Sequence, residues 1–160
     1  LHLAGELFKS MAGIDMVGVP YKSTVQTVTA LVAGEVQVTF PNVAAAMPLI
    51  KDGKVKALAV TTSSPYPLLP NVPTATASGL PGFESAAVLG IFAPVKTPAA
   101  IVTRLNQEIV RAIAAPEVNQ KLLNLGAIVV ASTPEELAAR LRKEMETSGK
   151  LIKALGIRGE

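Results

Sequence analysis

The amino-acid sequence predicts an α/β protein in which short helices and strands alternate. The main observation is a pattern that recurs three times: an apolar residue, two further residues, glycine, one residue, and then alternating apolar residues. A glycine in the left-handed conformation commonly ends a helix, so each copy predicts a helix followed directly by a strand. The irregular spacing of the copies argues against a solenoid and favours an alternating α/β chain. The three copies are Leu31–Val38, Ile50–Ala57 and Leu123–Val130.

The helix boundaries in the first half of the chain follow from residues that cap or end helices. Gly13 ends the first helix, and Ser23 with Thr24 provides an N-cap for the second. Pro41 and Asn42 open the third helix. These signals predict helices at His2–Ala12, Thr24–Ala33 and Val43–Lys51.

Three further helices are predicted in the second half. Thr97 is an expected N-cap with Pro98 at the first helical position, and Pro116 starts the next helix. Thr133 and Glu136 have the spacing of a capping box, in which each side chain bonds the other residue's backbone N–H. The predicted ranges are Pro98–Ala114, Pro116–Leu125 and Pro134–Leu155.

Apolar runs between these helices predict five strands. Five prolines fall within Ser63–Gly82, so this segment is predicted to be a long ordered loop with one helical turn at Thr74–Ser78. The predicted strands are Met16–Val19, Val36–Phe40, Val55–Thr61, Phe83–Ala93 and Ile128–Val130.

Composition excludes several classes of function. The chain has 160 residues with 49% apolar residues, which is enough for one domain or two small lobes with a packed core. It has no cysteine for a thiol nucleophile or disulfide, and a single histidine, which argues against a histidine metal site. A net charge of +3 with 4% aromatic residues and scattered basic residues argues against nucleic-acid binding. Leu1 already lies in a helical pattern, so we expect the chain to be cut or processed from something longer.

The turn after the first predicted strand has the chemistry of an anion site. Pro20 ends the strand because it has no N–H for a ladder, and Lys22 follows directly before the next helix. Ligands of α/β proteins bind where strands end and helices begin, and a helix start offers free N–H groups and partial positive charge. The segment therefore predicts half of a small-anion site, formed by Tyr21, Lys22, Ser23 and Thr24. A second helix start, formed by Pro41, Asn42 and Val43, is the other candidate.

Simpler roles exist for the same residues. Lys22 can be a solvated loop lysine, and Ser23, Thr24 and Asn42 can act as helix caps, a role compatible with binding. His2 has no cysteine or evident carboxylate partner, which favours a structural role over that of a catalytic base.

Five short motifs in order resemble the solute receptors of tripartite tricarboxylate transporters, the Bug or TctC family. The resemblance covers the whole chain but only about the second half of the family pattern. The motifs are Val19–Lys22, Phe40–Asn42, Leu69–Thr74, Gly79–Phe83 and Gly90–Pro94.

This resemblance implies a periplasmic-binding-protein-like chain of type II, a partial Venus flytrap with three α/β/α layers. It implies a second-lobe segment at residues 1–82, a crossover strand and hinge at 83–93, and a helical return to the first lobe at 94–160. Such receptors are periplasmic, are not enzymes, need no cofactor, and pass a small carboxylate to a membrane permease. The implied ligand-binding residues are Tyr21, Lys22, Ser23, Thr24, Pro41, Asn42 and Val43.

The sequence departs from the family pattern at three positions. Ser23 stands where glycine is frequent, Pro41 where aspartate is frequent, and Val88 where tryptophan is frequent. Because the aspartate would accept a hydrogen bond from a ligand's amino group, its loss disfavours an amino-acid ligand. Val88 would make the cleft wall smaller.

Two alternatives remain open at this point. The chain can be a truncated structural fragment that binds nothing and self-associates into a homo-oligomer, because half of the receptor is absent. It can also be a hydrolase, but a Ser-His pair would have to use His2 at the end of the chain.

Overall fold

The computed structural model describes residues 2–154, and the chain divides into two compact units, Leu1–Ala86 and Ala87–Glu160. The division falls inside the segment 83–93 that the sequence assigns to a crossover, while the assignment of lobes stays a prediction. Unit 1 contains helices α1 (His2–Ala12), α2 (Thr24–Ala33) and α3 (Val43–Lys51). Unit 2 contains α4 (Ala99–Ala114), α5 (Pro116–Asn124) and α6 (Pro134–Ala154).

The three helices of unit 1 have the predicted bounds. In unit 2, α4 begins one residue later than predicted, α5 ends one residue earlier, and α6 begins at the predicted residue. Helix α4 begins at Ala99 because Pro98, with an extended ψ of 140°, occupies the N-cap position, and no side chain caps this helix. The N-cap predicted at Thr97 is therefore wrong. The predicted capping box is confirmed, since Thr133 N–H donates to Glu136 Oε2 at 2.8 Å and Glu136 N–H donates to Thr133 Oγ1 at 3.2 Å. The predicted end of α6 at Leu155 lies outside the described residues.

The three recurring glycines all end helices in the left-handed conformation, as predicted. Their φ angles are 77° at Gly34, 67° at Gly53 and 89° at Gly126. After each glycine, the N–H of the next residue donates to the carbonyl five residues earlier, at 2.9 to 3.0 Å. These two features define the Schellman motif, which provides hydrogen-bond donors for carbonyl groups of the last helical turn that have no partner within the helix.

The expected sheet is not formed by the described residues. Within them, the one β-bridge is a parallel contact of Val60 with Thr74. Beside it, Ser85 N–H donates to Thr61 O at 2.9 Å. A strand exists only where a neighbour completes its ladder of hydrogen bonds, and an apolar sequence pattern does not supply that neighbour. No strand forms at Met16–Val19, Val36–Phe40, Val55–Thr61, Phe83–Ala93 or Ile128–Val130.

The core of unit 1 is built on three aromatic rings. Phe83 is 1% exposed and meets the Phe8 ring edge-on, with centroids 5.9 Å apart. Phe8 also packs against Phe40 at 5.5 Å. Val28 and Ala30 bury one face of α2, and α2 packs against α3. The burial of this face leaves the opposite face of α2 open to a ligand.

In unit 2, α4 packs against both α5 and α6. The Asn106 side chain on α4 donates to Ser132 O at 3.0 Å and so holds the segment that leads into α6. Several large apolar side chains before α4 are exposed, including Leu89 at 82% and Val95 at 99%. Among the described residues of the whole chain, no helix combines the length and apolar character needed to cross a membrane.

Candidate functional site

A cavity of about 510 Å³ lies against α2 in unit 1. It is an open concavity on the surface of the helix, and most of its lining residues are exposed to solvent. The cavity begins at the turn before α2 and continues along the helix to the residue after its C-terminal glycine. The lining residues are Pro20, Tyr21, Lys22, Val25, Gln26, Thr29, Ala30 and Glu35.

The start of α2 is held by a reciprocal pair of side chains. Ser23 is the N-cap, and its Oγ accepts a hydrogen bond of 3.3 Å from Gln26 N–H. The Gln26 side chain reaches back, and its Oε1 accepts from Lys22 N–H at 3.2 Å. This arrangement resembles a capping box displaced by one residue, and it fixes the backbone from Lys22 into the helix.

Two N–H groups at each of two helix starts are left open by these caps. At α2, the N–H groups of Thr24 and Val25 have no protein acceptor among residues 2–154. At α3, Asn42 Oδ1 accepts from Ala45 N–H at 2.9 Å, which leaves the N–H groups of Val43 and Ala44 open within the same described range. Open N–H groups and the positive end of the helix dipole together favour a bound anion.

Tyr21 connects the two ends of the cavity. Its hydroxyl donates a hydrogen bond of 3.3 Å to Glu35 Oε2. Partial burial of the ring, the negative charge of Glu35 and this hydrogen bond all raise the pKa of Tyr21 above its ordinary value. The phenol is therefore a protonated donor at neutral pH.

Lys22 is the cationic group of the lining, and its side chain is exposed. It takes part in no ion pair with any residue in the described range 2–154. An ammonium without a protein partner beside open N–H groups can form a charge-assisted hydrogen bond to a ligand carboxylate.

The structure brings together only part of the predicted set of binding residues. Tyr21 and Lys22 line the cavity, and Ser23 and Thr24 lie at its mouth as the N-cap and first residue of α2. The second group lies apart from this lining, at the start of α3. Its members are Pro41, Asn42 and Val43.

Sequence reasoning missed the part of the lining that follows the helix start. Val25, Gln26 and Thr29 lie within one helical turn of each other, so the 3.6-residue period would have placed them on one face. The helical period could not have identified Glu35, because this residue follows the glycine that ends α2. It lines the cavity because of the backbone turn after the helix. His2 lies 3.8 Å from Glu6, one helical turn away on α1, and outside the cavity lining. Among the described residues, no cluster of acidic and histidine side chains could hold a metal ion.

The family model for the tripartite tricarboxylate transporter family receptor, TctC, matches residues 1–157. A UPF0065 protein from the tcbD-tcbE intergenic region of Pseudomonas sp. is 42% identical over 95% of this chain and 46% of its own length. A UPF0065 protein from the clcB-clcD intergenic region of Pseudomonas knackmussii is 35% identical over 95% of this chain and 90% of its own length.

Three solved structures show the same backbone arrangement over nearly all of this chain. R. palustris Rpa4515 with adipate matches with a TM-score of 0.82 and 34% identity, covering 97% of this chain and 52% of that one. The periplasmic binding protein BugD matches with a TM-score of 0.79 and 30% identity, covering 99% and 54%. MatC from Rhodopseudomonas palustris with bound malate matches with a TM-score of 0.71 and 34% identity, covering 94% and 52%.

The chain therefore spans about half the length of the first relative and of these solved structures. The matches confirm the resemblance carried by the five short motifs, and they extend it from motifs to backbone. The matched family consists of transporter receptors, which are binding proteins and not enzymes. This chain belongs to the tripartite tricarboxylate transporter receptor family.

Proposed function

We propose that this protein acts as a periplasmic solute receptor that captures a small carboxylate for a tripartite tricarboxylate-type transporter, whose membrane permease is its partner. The observation that carries the proposal is the start of α2. There, Lys22 forms no ion pair within residues 2–154, and it is followed by two N–H groups that have no protein acceptor in the same range. Family membership supports it, as do the solved relatives with adipate and malate.

The chemistry of binding follows from the helix start. A carboxylate oxygen accepts from the N–H groups of Thr24 and Val25, while Lys22 neutralises its charge. Ser23 keeps these N–H groups in place without competing for them, because its Oγ accepts from Gln26 N–H instead. The start of α3, at Asn42 and Val43, is the proposed second contact.

Capture also requires closure of the receptor. Following the family resemblance, we assign the hinge to residues 83–93 and the second-lobe wall to the helix starts of unit 1. Closure around an anion would then convert an open helix start into a site from which water is excluded.

Isothermal titration calorimetry tests the proposal. The 160-residue chain is titrated with a panel of mono- and dicarboxylates that includes adipate and malate. We expect heat of binding with at least one acid, and a loss of about tenfold in affinity in Lys22→Gln, which removes a charge-assisted hydrogen bond. Lys56→Gln is the matched control, because Lys56 is exposed, lies outside the cavity and should leave the affinity unchanged. The absence of heat with every acid would contradict the proposal.

A second candidate is a structural fragment that self-associates and binds no solute. The exposed apolar residues of unit 2 and the unpaired segments of unit 1, such as Val17 at 90% exposure, favour association. Light scattering separates the two candidates when it is combined with the titration: large assemblies without carboxylate binding support the fragment. Binding of a carboxylate supports the receptor, whether the protein is monomeric or self-associated.

A further inference from the structure

The charges of the lining residues determine which chemical groups are favoured in a bound ligand. Lys22 and Glu35 are the two charged residues of the lining. Neither takes part in an ion pair with another residue in the described range, so both charges are available to a ligand. The cavity therefore offers one cation and one anion instead of two cations.

The residues that carry these two charges flank α2. Lys22 precedes the N-cap, and Glu35 follows the C-terminal glycine. Because the Tyr21 hydroxyl donates to Glu35 Oε2 at 3.3 Å, the Glu35 carboxylate lies within the reach of one tyrosine side chain from the turn that carries Lys22. A short ligand whose carboxylate is held at Lys22 can therefore bring its other end near Glu35.

The floor between the two charges is largely apolar. Val25 is 71% exposed there, whereas Ala30 is only 3% exposed and adds little surface. The Thr29 hydroxyl already donates its proton to Val25 O at 2.9 Å, so Thr29 can act toward a ligand only as an acceptor. A short aliphatic chain suits this floor.

At the far end, Glu35 acts as an acceptor and repels a second negative charge. Oε2 accepts from the Tyr21 hydroxyl, while Oε1 has no donor among the described residues and can accept from a ligand. A ligand hydroxyl can donate this hydrogen bond to Glu35, whereas a ligand carboxylate has no proton to donate and is repelled by the like charge.

We infer that the cavity takes a small monocarboxylate with a hydroxyl at its far end, and that Glu35 discriminates against the dicarboxylate of the same length. The inference rests on the proposed function, since it requires the first carboxylate at Lys22. It makes Glu35 a specificity-determining residue, which the sequence did not identify.

The test compares two acids with the same six-carbon chain, adipate and 6-hydroxyhexanoate, by calorimetric titration. We expect the native chain to bind 6-hydroxyhexanoate about fivefold more tightly than adipate, from one like-charge contact near water. Glu35→Gln keeps an acceptor but removes the charge, so adipate affinity should rise about fivefold and the preference should vanish. Glu144→Gln is the control, because Glu144 is exposed and lies outside both the cavity lining and the proposed hinge.

The outcomes distinguish this inference from the function on which it rests. Equal affinity for both acids in the native chain, unchanged in Glu35→Gln, overturns the inference and leaves the receptor function standing. The absence of binding by either acid, or by any acid of the wider panel, overturns both. A preference that weakens as salt is raised from 0.05 to about 0.5 M supports the like-charge origin, because salt screens exposed charges.

Discussion

The Tyr21 hydroxyl donates to Glu35 Oε2 across 3.3 Å, and this bond connects the residues that flank the two ends of α2. Fourteen positions separate them in the chain. The ring thereby forms a wall of the cavity, and the carboxylate at its tip gives that wall a negative charge. The same contact determines both the shape of the candidate site and its electrostatic preference.

Removing the Glu35 charge should lower the pKa of Tyr21. The charge and its hydrogen bond both favour the protonated phenol, so Glu35→Gln moves the pKa down toward the ordinary value of 10.0. Ultraviolet titration of phenolate measures this, with Tyr21→Phe subtracted to remove the signal of Tyr66. An unchanged Tyr21 titration in Glu35→Gln would show that the contact is not maintained in solution.

The N-cap of α3 should contribute measurably to stability. Asn42 Oδ1 accepts from Ala45 N–H at 2.9 Å, and loss of such a cap costs about 1 kcal/mol. We expect Asn42→Ala to lower the free energy of unfolding of unit 1 by this amount in urea titration. Asn71→Ala, at an exposed loop asparagine, is the matched control and should change little. Equal losses in both variants would argue against the cap.

Substitution of the glycine that ends α2 should destabilise unit 1 through backbone strain alone. Gly34 has a φ of 77°, and a Cβ placed there meets nothing within 4 Å, so Gly34→Ala adds strain without a clash. The left-handed conformation costs a residue with a Cβ about 1 kcal/mol. Thermal or urea unfolding should show this loss.

Gly5 provides the opposite case within the same unit. It lies inside α1, and a Cβ there would touch the Phe40 ring at an ordinary 3.8 Å. Gly5→Ala should therefore stabilise unit 1 by about 0.5 to 1 kcal/mol, since alanine favours the helix. The same sign of change in both glycine variants would contradict the conformational argument.

The exposed apolar residues before α4 should promote self-association. Leu89 and Ile91 are 82% and 70% exposed, and neighbouring apolar residues extend the patch. We expect light scattering to rise with protein concentration, and the double variant Leu89→Lys, Ile91→Lys to reduce this rise. A native chain that scatters as a monomer at all concentrations would show that the patch does not self-associate.

The helices could be predicted from sequence because their boundaries depend on nearby residues. Ser23, Asn42 and Thr133 cap helices through residues three positions away, and Gly34 ends one through its own φ angle. These interactions are complete within one turn, so a linear pattern contains them. The strands could not be predicted in the same way, because a ladder needs a distant partner. Among the described residues, only Val60 finds one, at Thr74.

The candidate site likewise combines local features that the sequence predicts with long-range contacts that it does not. Sequence by itself determined that Lys22 precedes a capped helix start with open N–H groups, and short motifs sufficed to indicate the receptor family. Only the tertiary structure decided that Tyr21 reaches Glu35, and that the α3 start lies outside the cavity lining. The physical reason is range: caps and helix dipoles act within one turn, whereas a cavity wall depends on how the chain returns after a helix ends.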